Sequence, residues 1–442
     1  MKPISIWFPA RTKKSGKDER PPDAKPVDRP SRYRQRLAQL GSIALLPLNI
    51  LALASLMLIL ADALQRIGLP GAAVLFASGQ VLTRLVPLVL AACLADSLIV
   101  HEKGLAVLAA ALSALTFLTT ASALADVWSG SQYALFNLGW LPGFAAGYLT
   151  VVLYRFTERH IRAPRLSALF NPRTLVLWLQ PLSALGGLLS ALAWLAARNG
   201  LLRLAQWIPE AGSQGLLVYG ICNRLLLPFG LHHVLDDALW QHWGQFTMQN
   251  GTLVNGDIAR FLAGDPTAGR FGAGFYPLML LVVPALLLAV SLASRPRRRG
   301  QPALLLLAAA AAALLGGLTD TADWLILLVS PFLYLLYASL AGLSLLLSAQ
   351  LQTLHGFSFS AGLVDFISFW PQATRPVWLL ATGAVLAAIG FAVFWLLMRR
   401  FAWSSPSSGQ EQASLIRSPR PLEQAESEAL TQPEPDEQEN PS

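Results

Sequence analysis

The feature that most constrains this chain is a succession of apolar blocks, each about twenty residues long. A helix rising about 1.5 Å per residue needs roughly that length to cross about 30 Å of hydrocarbon. The blocks fall at about 41–64, 71–100, 105–125, 134–154, 175–197, 216–240, 273–293, 303–318, 324–347 and 377–398. Within lipid a segment must pair its own backbone donors and acceptors, so these blocks are expected to be helices. Only 13% of the residues are charged and 54% are hydrophobic, where a soluble domain carries about 25% charged residues. A soluble enzyme is excluded, and the expected fold class is an all-α integral membrane protein. Cys93 and Cys222 lie in apolar blocks, so they offer neither a disulfide framework nor a four-ligand zinc site. No metal and no cofactor is expected from the sequence.

The net charge of +8 would point to nucleic acid in a soluble protein, but its placement points to the bilayer. A basic tail over 1–36 precedes the first block, the run Arg295, Arg297, Arg298 and Arg299 separates two others, and Arg399 and Arg400 close the last. The positive-inside bias of membrane proteins accounts for all three, without nucleic acid as a partner. The first tail is too long and too rich in charge and Pro for a cleavable signal peptide. The segment 401–442 is acidic and rich in Pro, Gln and Glu, a composition expected to stay disordered. It is not expected to form a catalytic domain.

Charge also tests the count of crossings. Four blocks return the chain to its starting side, where the loop 155–173 carries Arg155, Arg159, Arg162, Arg165 and Arg173. Three blocks then separate that loop from Arg295, and three more lead to Arg399. Each odd count would put a basic run on the wrong side. One block in each group is therefore expected to be broken or re-entrant, unless a further crossing near 201–207 repairs the first. The most polar blocks are the candidates: 216–240 holds Asn223, Arg224, Pro228, His232, His233, Asp236 and Asp237, and 303–318 runs into Thr319, Asp320, Thr321 and Asp323. Irregular backbone and charge at membrane depth are tolerated where they line a protein-walled cavity.

These residues carry two readings each. On a continuous helix Arg224 and His232 would lie about 12 Å apart, and a break at Pro228 brings them closer around a polar ligand. Alternatively Arg224 snorkels to an interface and His232 is a satisfied core histidine. Asp320 and Asp323 follow Gly316 and Gly317; a carboxylate there can accept hydrogen bonds from sugar hydroxyls and help deprotonate one, or Thr319 or Asp320 can simply cap a helix. The Gly-rich stretch 256–274 offers Asp257, Asp265 and Thr267 but lacks the Gly-Lys-Ser/Thr ending of a phosphate loop, so it is either a site segment or a turn-rich connection.

Taken together and in order, NRLLLPFGLHH (223–233), GDIARFLAGDPTAG (256–269), GLTDTAD (317–323) and FSFSAGLVDF (357–366) resemble the membrane subunit of the glucose and N-acetylglucosamine branch of the bacterial phosphotransferase system. The resemblance covers roughly 34–400 and implies a homodimer of about ten spanning helices with re-entrant hairpins in the bacterial inner membrane, both termini cytoplasmic. It implies a permease domain over 37–400, with a dimer scaffold over about 37–200 and a substrate-transport half over about 201–400. The implied activity is capture of a hexose or amino sugar for phosphorylation at the sixth-carbon hydroxyl by a separate phosphocysteine domain, as in a protein-phosphohistidine–sugar phosphotransferase. By motif position Arg224 and His232 match a sugar- or phosphate-facing Arg and His, and Asp320 matches the family's essential Glu. His232 and Asp320 are thus the implied catalytic pair, with Arg224, His232, His233, Asp236, Asp323, Asp265 and Thr267 implied to bind substrate.

The departures that bear on chemistry are that Asp320 and Asp323 stand where the family has Glu, Thr321 where it has Pro, and Asp236 where it has Asn. One methylene retracts a carboxylate by about 1.5 Å, and a misplacement of about 1 Å can cost on the order of a hundredfold in rate. Retention of phosphorylation is therefore left open, beside a non-phosphorylating sugar carrier or a membrane sugar receptor on the same fold.

Overall fold

The computed structural model describes residues 32–129, 138–160, 170–294 and 301–401. Most of the tail over 1–36, the tail over 401–442 beyond Phe401 and the basic run at 295–299 lie outside the described residues. The architecture is helical: α1 (Arg32–Arg66), α2 (Ala72–Leu98), α3 (Lys103–Ser129), α4 (Leu141–His160), α5 (Pro172–Glu210), α6 (Gly212–Leu226), α7 (His232–Asp237), α8 (Asp257–Leu262), α9 (Arg270–Ala293), α10 (Gln301–Gly316), α11 (Asp320–Val329), α12 (Pro331–Gln350), α13 (Leu363–Ser368) and α14 (Pro376–Phe401). A two-stranded antiparallel hairpin, β1 (Gln245–Thr247) with β2 (Leu253–Asn255), is the only sheet among the described residues. Seven helices there, α1, α2, α3, α5, α9, α12 and α14, are long and apolar enough to cross a membrane. The chain is a multi-pass all-α membrane protein.

The block 216–240 is broken, as its polar content predicts. Helix α6 ends at Leu226, Pro228 sits in a short tight turn, Gly230 turns left-handed at φ 69, and α7 restarts at His232. Pro removes an amide and Gly permits the positive φ, so the two residues together set the break. The block 303–318 is α10, which stops at Gly316; Gly317 is left-handed at φ 66 before α11 begins.

Three expectations change. The block 324–347 is two helices, because Ser330 is extended (φ −166, ψ 125) and Pro331 opens α12 without an amide to continue α11. The suspected extra crossing at 201–207 belongs to α5, a 39-residue helix whose start is capped by the Asn171 side chain. The block 134–154 is displaced: α4 starts only at Leu141, after left-handed Gly139, and 134–137 lie outside the described residues.

Small residues bring backbones together at the centre of the molecule. A Cβ on Gly220 of α6 would meet the Ala341 carbonyl of α12 at 2.8 Å, and one on Gly342 would meet the Leu217 carbonyl at 2.6 Å. This close crossing sets the last turn of α6, which carries Arg224, against α12. The segment 356–362 then crosses the α10–α11 break. A Cβ on Gly317 would lie 2.8 Å from the backbone of Ala361 and Gly362, and Ser360 Oγ donates to the Gly317 carbonyl at 3.1 Å. Gly317→Ala combines a positive φ with that clash, so a loss on the order of 2 kcal/mol or more is expected, read as a lower melting temperature in detergent.

The crossing segment is itself held by one carboxylate. Asp365, at the start of α13, accepts from the amides of Ser358, Phe359 and Ser360 at 2.8–3.1 Å and from the Arg66 guanidinium at the end of α1. Arg66 is also paired with Asp62 at 2.8 Å. Asp365→Ala strands three amides and removes one of the two carboxylates on Arg66, and hydrogen bonds to a charged acceptor contribute about 1.5–3 kcal/mol each. The expected result is faster amide hydrogen exchange across 356–366 with α2 and α3 unchanged.

Candidate functional site

The two breaks place their polar residues in one buried group. Arg224 comes from the last turn of α6, Thr319 from the α10–α11 break, Asp323 from the first turn of α11, and Tyr334 and Tyr337 from one face of α12. Arg224 Nη1 donates to Thr319 Oγ1 at 2.7 Å, to Asp323 Oδ2 at 3.1 Å and to the Tyr337 hydroxyl at 3.4 Å. The guanidinium carbon lies 5.5 Å from the Phe275 ring centroid. Tyr334 donates its hydroxyl to the Arg224 carbonyl at 2.5 Å, one of the acceptors left free where α6 ends. Arg224 is only 3% exposed and Asp323 1%. Arg224 therefore does not snorkel to an interface; it is fixed inside the protein by a salt bridge.

A second group lies beside it. Asp236 Oδ1 accepts from the Tyr219 hydroxyl at 2.6 Å and from Asn223 Nδ2 at 2.7 Å. Asn223 and Arg224 are neighbours, so the end of α6 serves both groups, one side chain turned to α7 and the next to α11. The rings of His232 and His233 lie with centroids 3.9 Å apart, tilted 36° to each other, and His232 Nδ1 is buried without a partner among the described residues. His232 is thus not a satisfied core histidine.

Asp320 is half-buried at the first position of α11 and makes no side-chain hydrogen bond to another residue among the described residues. Thr319, at the capping position, makes no side-chain cap; its hydroxyl serves Arg224 instead. Arg224 Nε and Asp323 Oδ1 are likewise buried without partners. Unsatisfied buried polar atoms are costly, and here four of them, counting Thr321 Oγ1 with His232 Nδ1, belong to the same two breaks. Trp324 closes one side, stacked on Trp140 at 4.0 Å and 15°.

Asp265 and Thr267 are placed apart from this group. Arg260 of α8 bonds Asp265 through Nε at 2.8 Å and Thr267 through Nη2 at 2.9 Å, and the Thr267 amide and hydroxyl both donate to Asp265 Oδ1 at 2.8 and 2.7 Å. Burial alone would raise the Asp265 pKa, but the bonds from Thr267 and Arg260 hold it below the usual carboxylate range. These contacts make a self-contained loop brace. Asp257 braces the same loop by accepting the Gly269 and Phe271 amides at 3.0 Å.

The chain matches the phosphotransferase system EIIC family over residues 41–342. It belongs to that family. Among similar proteins, the N-acetylglucosamine-specific EIIC component of Streptomyces coelicolor is 32% identical over 390 residues, covering 86% of this chain and 94% of that one. The N-acetylglucosamine-specific EIICB component of Bacillus subtilis is 32% identical over 84% of this chain and 78% of its own length. The Escherichia coli N-acetylglucosamine-specific EIICBA component is 34% identical over 63% of this chain, which spans 44% of that relative. This EIIC chain is a permease subunit of sugar transport.

The residues that sequence reasoning missed are Tyr219, Tyr334 and Tyr337, and Asn223 was read there only as polar content of the broken block. Asn223 adjoins Arg224, and Tyr334 and Tyr337 stand three apart in an otherwise apolar helix; that spacing puts both hydroxyls on one face.

Proposed function

We propose that this EIIC chain binds N-acetylglucosamine or a related hexosamine between the two breaks and presents its sixth-carbon hydroxyl to Asp320, for phosphorylation by a separate phosphocysteine domain. The observation that carries the reading is Asp320 itself: a half-buried carboxylate without a side-chain partner, at a helix start, within electrostatic reach of a buried Arg224 whose charge is already matched by Asp323. Asp323 neutralises the guanidinium, which leaves Asp320 free to accept from a sugar hydroxyl. His232 and His233 supply further donors, and Trp324 and Trp140 an apolar wall. Asp265 and Thr267 support the loop and do not touch sugar. The names of the relatives favour N-acetylglucosamine.

Every polar residue assigned to sugar lies beyond Gly212. We therefore assign the transport half to the segment after the Ala211–Gly212 turn and the dimer scaffold to the helices before it, near the expected boundary at about 200. If α6–α7 and α10–α11 do not cross, two crossings, α5 and α9, separate the basic loop 155–173 from the Arg295–Arg299 run. Two more, α12 and α14, then precede Arg399. With the 20-residue helix α4 counted as a crossing beside α1, α2 and α3, all basic segments fall on one face and both termini are cytoplasmic.

Uptake of labelled N-acetylglucosamine and glucose into vesicles, with and without a phosphoryl-donating partner domain, tests the reading. Phosphorylated product that depends on the partner is expected. Accumulation of unmodified sugar would overturn it.

A further inference from the structure

The carboxylates of the two breaks outnumber the cations there. Asp323 is matched by Arg224, but Asp236 receives only neutral donors, the Tyr219 hydroxyl and the Asn223 amide, and both bind the same oxygen, Oδ1. Its second oxygen has no recorded partner among the described residues. A buried carboxylate in that condition calls for a proton or a cation. Beside it stand two imidazoles with no hydrogen bond to another of the described residues, and His232 Nδ1 is fully buried. Each of His232, His233 and Asp236 offers one ligand atom, and these atoms all lie within 4.8 Å of one another. The spacing is that of one helix face, since Asp236 stands four residues after His232 and three after His233.

We propose that His232, His233 and Asp236 bind a divalent ion of the zinc class, with a fourth position left for water or a hydroxyl ligand. Two nitrogens and one carboxylate oxygen match the donor set of zinc sites that keep an open position. Ligands about 2.0–2.1 Å from a tetrahedral ion lie roughly 3.3 Å apart, so small side-chain rotations would close the site. Tyr219 and Asn223 orient the carboxylate through one oxygen and leave the other for the ion, the role that outer hydrogen bonds take around metal ligands. Arg224 does not oppose the ion with a free charge, because Asp323 pairs with it. The proposal does not depend on which sugar is carried or on its phosphorylation.

The test uses the full-length protein, purified in detergent and stripped with a chelator. Cobalt(II) is titrated in and followed by its visible d–d absorption, then displaced with zinc. One equivalent with tetrahedral-type bands, bleached by zinc, is expected. Asp236→Asn, His232→Gln and His233→Gln should each weaken cobalt binding at least tenfold, whereas His242→Gln, an exposed histidine outside the cluster, should not. Should Asp236→Asn fail to yield folded protein, the two histidine variants decide. Absence of the bands in the parent, or bands unchanged in both histidine variants, would overturn the site.

Discussion

Replacing Arg224 by Met is expected to abolish sugar uptake and to destabilise the protein by about 3–5 kcal/mol, the usual cost of leaving one member of a buried ion pair alone. Asp323 would lose its only cation among the described residues while remaining 1% exposed. Thr319 would lose the donor at 2.7 Å that fixes the start of α11. Asp323→Leu should cost a similar amount for the reciprocal reason. The double variant Arg224→Met/Asp323→Leu is the informative one: with both charges gone no unpaired ion remains, so it should be more stable than either single variant. Uptake should stay lost in all three, because the polar group that joins α6, α11 and α12 is gone. Chemical denaturation in detergent gives the cycle and vesicle uptake the activity. Single variants within about 0.5 kcal/mol of the parent would show that the pair does not hold the two breaks together.

That pair also shows how far the sequence was readable. The breaks themselves were legible, because Arg224, Pro228 and His232 have no place in a lipid-facing helix, and because Asp320 and Asp323 follow two glycines. Charge parity pointed to the same segments independently. The partnership of Arg224 with Asp323 was not legible: the two stand 99 positions apart, and nothing local to either residue names the other. The break at Ser330 was hidden by the apolar run around it, although Pro331 was its one visible mark. Asp265 and Thr267 were ambiguous for the opposite reason. A Gly-rich loop with polar side chains reads alike as a binding segment or as a brace, and only Arg260, reaching both residues, favours the second. The substitution of Asp for the family's Asn at 236 was visible from the resemblance, but its consequence depends on the imidazoles beside it.

The second large effect concerns Asp320. Asp320→Asn should leave sugar binding within a few-fold of the parent, since an amide still offers an acceptor to a hydroxyl, yet lower formation of phosphorylated sugar at least a hundredfold, within the 10²–10⁴ range of a lost general base. Asp320→Glu separates charge from reach. It keeps the carboxylate but advances it by about 1.5 Å, enough to cost on the order of a hundredfold if the surroundings are built for the shorter side chain. The backbone leading into Asp320 has little room to adjust: a Cβ on Gly316 would meet Ile59 at 2.2 Å, and the backbone of Gly362 packs on Gly317. The expected order of phosphorylated product is therefore parent, then Glu, then Asn, with sugar binding nearly flat across the three. Equilibrium binding of labelled sugar, measured beside single-turnover phosphorylation by a charged partner domain, resolves the two quantities. If the Asn variant phosphorylates at the parent's rate, Asp320 is not the group that holds the reacting hydroxyl. If it loses binding and product together, the carboxylate anchors the sugar and the proton goes to another group.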